Sequence, residues 1–361
     1  MDNFFLKYLY FFLLVSFFLA CKSGEQRKIY SKKTNNYVLS SRFFHPRDSN
    51  DPQSTINTII KLKPKRIDWV YHSSKKVLEI YQDYNLPYSL AINPQIPDSI
   101  GYTTKSHRIV EYTGGLYVAP WMKKWKIKNP HWGCVNNPKF NKLFLSRSLY
   151  LSSLKPYAIF VDDALFNVRL KRDDKVGCFC EYCVLAFKKK YNDFSFFEEK
   201  RRTLKKEFKK GKVNKVKMSL LLKDFITKYE DFQEESVISF LENWKKEVKI
   251  HYPKMKFLTN NYNGSWNSIY SVFDGGIAEL NAKYINKNDL DSIYHVSDSL
   301  NKSQLFSIAS SNDSVQKKLL EYNAKNNRES LYPWDIFISG EERYYMPIDS
   351  ILKIKKEIIK N

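Results

Sequence analysis

Residues 158–163 read AIFVDD, and residues 177–183, one short loop later, read GCFCEYC. The first run is four apolar residues ending in two acids. A short continuous apolar run is the pattern of a strand buried on both faces, as in a parallel sheet covered by helices. Acids at the C-terminal end of such a strand lie where α/β sheets and barrels collect their chemistry. Working outward, the same unit recurs. Strands are expected at 37–44, 66–71, 88–93, 158–163, 256–261, 276–280, 304–309 and 331–337. Helices are expected at 51–62, 74–84, 139–154 and 182–190, in long runs over 195–250, and at 347–360. Eight apolar strands, each separated by helix, predict an α/β protein with a (β/α)₈ TIM-type barrel. The alternative from the same pattern is a doubly wound open sheet. A single barrel domain over 37–361 is expected, with a basic helical insertion at about 193–250.

The chain has 361 residues, 43% hydrophobic and 27% charged, which excludes a disordered chain. Aromatics reach 16%, enough to fill a core and still line a cleft. Lys and Arg outnumber Asp and Glu by 60 to 38, a net charge of +22 that attracts anionic partners. Residues 1–21 (MDNFFLKYLYFFLLVSFFLAC) carry one early Lys and then an apolar run, the pattern of a secretory signal. Ala20 followed by Cys21 resembles the bacterial lipoprotein signal, although Phe18 stands where an aliphatic residue is usual. Lipidation at Cys21, a polar tether over 22–36, and a lipid anchor to a membrane of the bacterial cell envelope are therefore expected, at the outer membrane or cell surface. The alternatives are a signal anchor and a cleaved signal without lipid. Export argues against nucleic acid as the anionic partner.

With Cys21 set aside, four cysteines remain: Cys134, Cys178, Cys180 and Cys183. The C-x-C-x-x-C run packs three thiols into one turn, and a distant fourth completes the tetrahedral four-sulfur set of a structural Zn²⁺. Disulfides are the alternative in an exported protein, but three of four cysteines within six residues suit disulfide geometry poorly. Free thiols are the remaining alternative.

On these residues, 158–191 resembles the barrel enzymes of glycoside hydrolase family 42, the zinc-containing β-galactosidases. In that family C-x-C-x-x-C follows strand four and leads into a helix with a central Phe, and an upstream Cys supplies the fourth zinc ligand. Cys134, 44 residues before Cys178, stands in that position. The resemblance is specific over about 130–192 and architectural elsewhere. It implies a barrel, a structural zinc loop and a carbohydrate substrate. The family ends strand four with Asn-Glu, the Glu being the general acid; here Ala164 follows Asp162 and Asp163 at that place. The family's nucleophilic Glu at strand seven has no counterpart in 304–310. Retaining β-galactosidase activity therefore does not carry over.

Glycoside hydrolysis needs two carboxyl groups flanking one bond. The candidates at strand ends are Asp163 and Glu279, with Asp162 close behind. Adjacent Asp162 and Asp163 face opposite sides unless the chain bends. Asp335, Trp334, Asn260, Asn261, His45, Asn93 and Arg343 are candidate substrate contacts, with His72 a further polar group at a strand end. Residues 120–126 (PWMKKWK) interleave rings with cations, so Trp121 and Trp125 are candidate platforms for an anionic sugar, as are Trp132 and Trp266. Each of these also has an ordinary structural role open to it, as a turn contact or core residue. No G-x-S-x-G elbow, phosphate-cradling glycine motif or carboxylate–His metal cluster is present, which argues against serine hydrolases, nucleotide enzymes and nucleases. The expected function is an exported, membrane-anchored glycoside hydrolase acting on an oligo- or polysaccharide. A glycan-binding lipoprotein on a barrel that has lost its acids, and an envelope protein held by charge, are the alternatives.

Overall fold

The computed structural model describes residues 36–40, 60–71, 75–95, 107–124, 131–192, 197–207, 220–308, 313–331 and 348–360. Cys21, the tether up to residue 35, His45, His72, Trp125, Trp334, Asp335, Arg343 and parts of the basic insertion lie outside them.

The strands are β1 (Tyr37–Ser40), β2 (Arg66–Val70), β3 (Tyr88–Ile92), β4 (Ala158–Val161), β5 (Lys256–Asn260), β6 (Gly275–Leu280), β7 (Ser303–Ile308) and β8 (Ser330–Leu331). All pair in parallel in the order β7-β6-β5-β4-β3-β2-β1-β8, and β7 comes back beside β8. This is a nearly closed (β/α)₈ barrel. The main helices are α1 (Lys75–Asp83), α2 (Pro138–Ser153), α3 (Glu181–Tyr191), α4 (Phe197–Glu207), α5 (Leu220–His251), α6 (Lys287–Ser299), α7 (Asp313–Lys325) and α8 (Ile348–Lys360). Among these described residues no helix is long and apolar enough to cross a membrane.

Each strand sends a side chain into the barrel: Val38, Trp69, Ala91, Phe160, Leu258, Ile277, Leu305 and Leu331, with Ala158 beneath Phe160, form one buried cluster. The alternate residues face the helices. Ile159 and Val161 of β4 and Phe257 of β5 join a layer with Phe140, Phe144 and Phe166, against Phe240 and Trp244 of α5. Phe144 lies 5.3–5.5 Å from Phe166, Phe240 and Trp244, edge to face in each case. Such contacts add to the transfer free energy of ring burial. Local signals start α2: Asn137 caps it, accepting N–H groups from Lys139 at 2.9 Å and Phe140 at 3.4 Å, and Pro138 follows at the first turn.

The strand register slips between Ile67 and Val70 of β2, where Trp69 takes φ +64°. That conformation is costly for a bulky residue. Ring stacking on Phe160 (4.5 Å) and the bond from Trp69 N–H to Ser89 Oγ (2.9 Å) hold it. At the N-terminal end of the barrel, the buried Asp68 accepts from Arg66 Nε at 2.8 Å and from the Tyr157 hydroxyl. Arg66 and Lys65 both reach Glu329 at 2.6 Å. This ionic plug ties the start of β2 to that of β8.

Candidate functional site

Inward parity continues past the hydrophobic layer. Two residues beyond Phe160, Leu258 and Ile277, at the C-terminal ends of β4, β5 and β6, stand Asp162, Asn260 and Glu279. Asn260 Nδ2 donates to Asp162 Oδ1 at 3.2 Å, so the two meet across the mouth. Asn260 pairs in register with Ile277, which sets the half-buried Glu279 one inward position further out, on the wall above Asp162. Asp162 also accepts the backbone N–H of Asp163 at 2.9 Å and the hydroxyl of Tyr71, which follows β2. Tyr71 is 46% exposed, yet its hydroxyl is tucked against Asp162; burial of that hydroxyl and the adjacent carboxylate push its pKa up. Ser40 and Ser307 occupy inward positions on β1 and β7, are buried, and have no hydrogen-bond partner for Oγ among the described residues.

The chain bends at Asp163, which has φ +52° and turns away from the mouth. The residue is buried, 7% exposed, and its carboxylate accepts from the Tyr262 hydroxyl at 2.5 Å. Arg169 donates to the same hydroxyl at 2.6 Å and comes within 4.0 Å of Asp163 Oδ1. Arg172 covers the Tyr262 ring at 4.4 Å. Burial first, and the Asp162 carboxylate second, push Asp163 up to about 7, against the opposing pull of Tyr262, Arg169 and Arg172. At neutral pH the pair of neighbouring aspartates therefore carries a readily exchanged proton.

The loop after β4 and α3 builds a separate lobe. An irregular antiparallel hairpin, with bridges Arg108–Gly133, Val110–Leu116 and Val118–His131, delivers Cys134 to the C-x-C-x-x-C turn. Cys134 N–H donates to His107 O at 2.9 Å and Phe179 N–H to Val110 O at 2.7 Å, pinning both halves. Gly133 is required by packing: a Cβ there would lie 1.9 Å from the Phe140 ring. Sγ atoms of Cys134, Cys178, Cys180 and Cys183 lie within 4.8 Å of one another and are all buried. None forms a disulfide; Cys134 and Cys183 stand 3.3 Å apart and Cys134 and Cys180 3.5 Å. Donors converge on them: Asn167 Nδ2 at 3.3 Å from Cys134 and 3.5 Å from Cys183, Asn136 Nδ2 at 3.2 Å from Cys183, and Val110 N–H at 3.5 Å from Cys178. Hydrogen bonds from Cys134, Cys178 and Cys183 hold Cys180 well below the usual thiol range, while burial pushes Cys178 and Cys183 up. Four sulfurs in this space can hold one metal ion. A tetrahedral ion with ~2.3 Å bonds to sulfur needs sulfurs about 3.8 Å apart, which these spacings approach.

Of the other residues singled out in the sequence, Asn93 follows β3 at an inward position and accepts from Gln95 N–H at 2.9 Å. Asn261 is fully buried in a mutual amide pair with Gln304, at 2.8 and 3.2 Å. Trp132 is a core residue of the cysteine lobe, donating to Met122 Sδ at 3.3 Å, and Trp121 packs half-buried on the same lobe. Trp266 follows β5, half-buried against the layer between sheet and helices. Tyr71, Tyr262, Arg169 and Asn167 carry no motif in the sequence. Their position just beyond β2, β5 and β4 was the only signal available for them.

No family profile matches this chain, and no curated protein matches it. Among solved structures, the fold is similar to a β-galactosidase from the psychrophilic Marinomonas ef1 (TM-score 0.57, 8% identity, 90% of this chain and 59% of that one). It is similar also to an exo-β-agarase (0.53, 10% identity, 87% and 47%) and to α-L-fucosidase isoenzyme 2 from Paenibacillus thiaminolyticus (0.52, 9%, 90% and 48%). This chain thus spans about half the length of these glycoside hydrolases. At such identity the likeness is one of fold.

Proposed function

We propose that this protein is an exported, lipid-anchored glycoside hydrolase that cleaves an oligo- or polysaccharide at the mouth of its barrel. One observation carries the proposal: Asp162 and Glu279 stand at inward-facing C-terminal ends of β4 and β6, with Asn260 between them. Two strand spacings across and two residues along separate their backbones by about 12 Å, room for a glycosidic bond between two carboxyl groups. In this reading Asp162 and Glu279 are the reacting pair. Asp163, buried behind Asp162, holds a proton and tunes its neighbour, while Asn260, Asn93 and Tyr71 orient sugar hydroxyls. The fold likeness to the agarase, fucosidase and β-galactosidase supports a carbohydrate substrate by analogy. Zn²⁺ suits the four-thiol site by donor type and spacing, and would supply structural cross-linking of the lobe. The residues that would hold it are Cys134, Cys178, Cys180 and Cys183.

An anionic glycan is the preferred substrate class. The net charge is +22, and the lobe beyond β4 exposes Lys189, Lys190, Arg202, Lys205 and Lys206. A specific observation favours a second reading, a glycan-binding protein without hydrolysis: the inward position toward the end of β7 is Ser307, and the strand carries no acid.

The test is reducing-end release from neutral, uronic and sulfated polysaccharides by residues 22–361 and by Asp162→Asn, Asp163→Asn and Glu279→Gln. Cleavage is expected for the parent, with a loss of about 100-fold or more in Asp162→Asn and Glu279→Gln. Cleavage that survives both changes rejects the site. Binding of a polymer without cleavage selects the second reading.

A further inference from the structure

We propose that the loop following β4 couples the four-thiol cluster to the carboxylates of the barrel mouth, with Asn167 as the positioning residue that joins them. The inference rests on reading Asp162 and Asp163 as members of the site.

The loop is short. Asp162 and Asp163 begin it, Asn167 stands four residues beyond Asp163, and Arg169 two beyond that. Asn167 is fully buried and uses both ends of its amide. Nδ2 faces Cys134 Sγ, Cys183 Sγ and, at 2.9 Å, Gln233 Oε1; Oδ1 accepts the Val135 N–H at 3.3 Å. Gln233 Oε1 in turn accepts from the Cys178 N–H at 3.4 Å. The far end of the loop returns to the mouth: Arg169 donates to Tyr262, whose hydroxyl donates to Asp163. Arg169 Nε also lies 3.6 Å from Asp173, which accepts from the Tyr117 hydroxyl at 2.6 Å.

Two non-glycine residues in this loop, Asp163 and Phe166, have φ of +52° and +42°. Such backbone persists where its surroundings over-determine it. Here the anchors are the thiol cluster at the centre and the Tyr262–Arg169 contacts at the end. Metal-bound thiolates are strong acceptors for the Asn167 amide. Protonated thiols are weaker ones that carry their own hydrogens. An emptied cluster therefore loosens Asn167, lets the strained turn relax and changes how Asp163 is buried. The groups facing Asp163 that would register this are Asp162, Tyr71, Tyr117, Tyr262, Tyr270, Arg169 and Arg172.

The experiment needs no substrate. The carboxyl-carbon resonance of Asp163, assigned with Asp163→Asn, is titrated by NMR in the zinc-loaded protein and again after chelation, with four reactive thiols reporting an empty cluster. The expected result is a shift of the titration midpoint toward the ordinary carboxylate range by at least one pH unit, a tenfold change in the protonation equilibrium. In parallel, Asn167→Ser is loaded with zinc and its affinity for zinc alone is read by competition with a chromophoric chelator. Its affinity is expected to fall about 10- to 100-fold. Its Asp163 midpoint is expected to move in the same direction as chelation moves it. Should the zinc-free protein unfold, the zinc-loaded Asn167→Ser protein decides the matter. A midpoint unchanged in a folded zinc-free protein, or unchanged in folded Asn167→Ser, overturns the coupling. Hydrolysis is a separate readout: an absence of cleaved polymer leaves the coupling standing, and an unmoved midpoint leaves the hydrolase proposal standing.

Discussion

Replacing Asp163 by Asn is expected to stabilise the protein above neutral pH. The carboxyl rises from its ordinary 3.8 to about 7 on folding, because it is buried beside Asp162. An acid whose pKa is raised by folding binds more protons in the native state than in the unfolded chain between those two values. Stability therefore falls as pH climbs through that window. Below the unfolded value the cost is absent, and above the folded value it is complete. A rise of about three units corresponds to about 4 kcal/mol at pH 8 and less than ~1 kcal/mol at pH 4. The amide keeps the shape and an oxygen to accept the Tyr262 hydroxyl, while it removes the charge. Across a compact unit of residues 36–361, that difference amounts to roughly 6 °C in melting temperature. The assay is calorimetric unfolding of both proteins from pH 4 to pH 8. A gap that stays constant across the range, or an Asn variant less stable at pH 8, would refute the reasoning.

Three further outcomes are expected. Gly133→Ala drives a Cβ into the Phe140 ring beside Cys134, and denaturant unfolding should show a loss of about 1–3 kcal/mol. Phe166→Ala empties the centre of the ring cluster formed with Phe140, Phe144 and Phe240, and the same measurement should show about 3–5 kcal/mol. Retention on a sulfated or uronic polymer column should weaken steeply between about 50 and 300 mM salt, where the Debye length shortens to below ~10 Å; retention indifferent to salt would rule out the basic face as its cause.

Much of the scaffold is legible in local chemistry. AIFVDD and its seven counterparts read as strands because an apolar run buried on both faces needs no long-range information to be recognised. The helix over 138–153 is announced by Asn137 and Pro138, and the one over 181–191 is preceded by the cysteine turn. Where an element's ends are described, they moved by a residue or two, as helix and strand ends do; the expected stretches 41–44, 51–59 and 332–337 lie outside the described residues, and the helices α6 and α7 were not expected. The four thiols were legible too, since C-x-C-x-x-C is a spacing with a geometric consequence, and the structure brings Cys134 to it from 44 residues away.

The site was legible only in outline. Asp162 and Asp163 are adjacent letters with the same chemistry, and strand alternation alone leaves open which of them turns inward. The positive φ at Asp163 decides it, and the carboxylate is held there by Tyr262, which approaches from beyond β5, and by Arg169 at the far end of the same loop. Asn261 and Asn260 are likewise neighbours, yet one closes an amide pair with Gln304 outside the barrel and the other reaches Asp162 across its mouth. The sequence by itself determined the eight parallel strands, the thiol set and the strand ends that carry acids, because burial periodicity and ligand spacing are properties of the chain over a few residues. Tertiary structure alone decided which carboxylate faces the mouth and which is buried at a raised pKa, because desolvation and hydrogen bonding depend on atoms that only folding brings together.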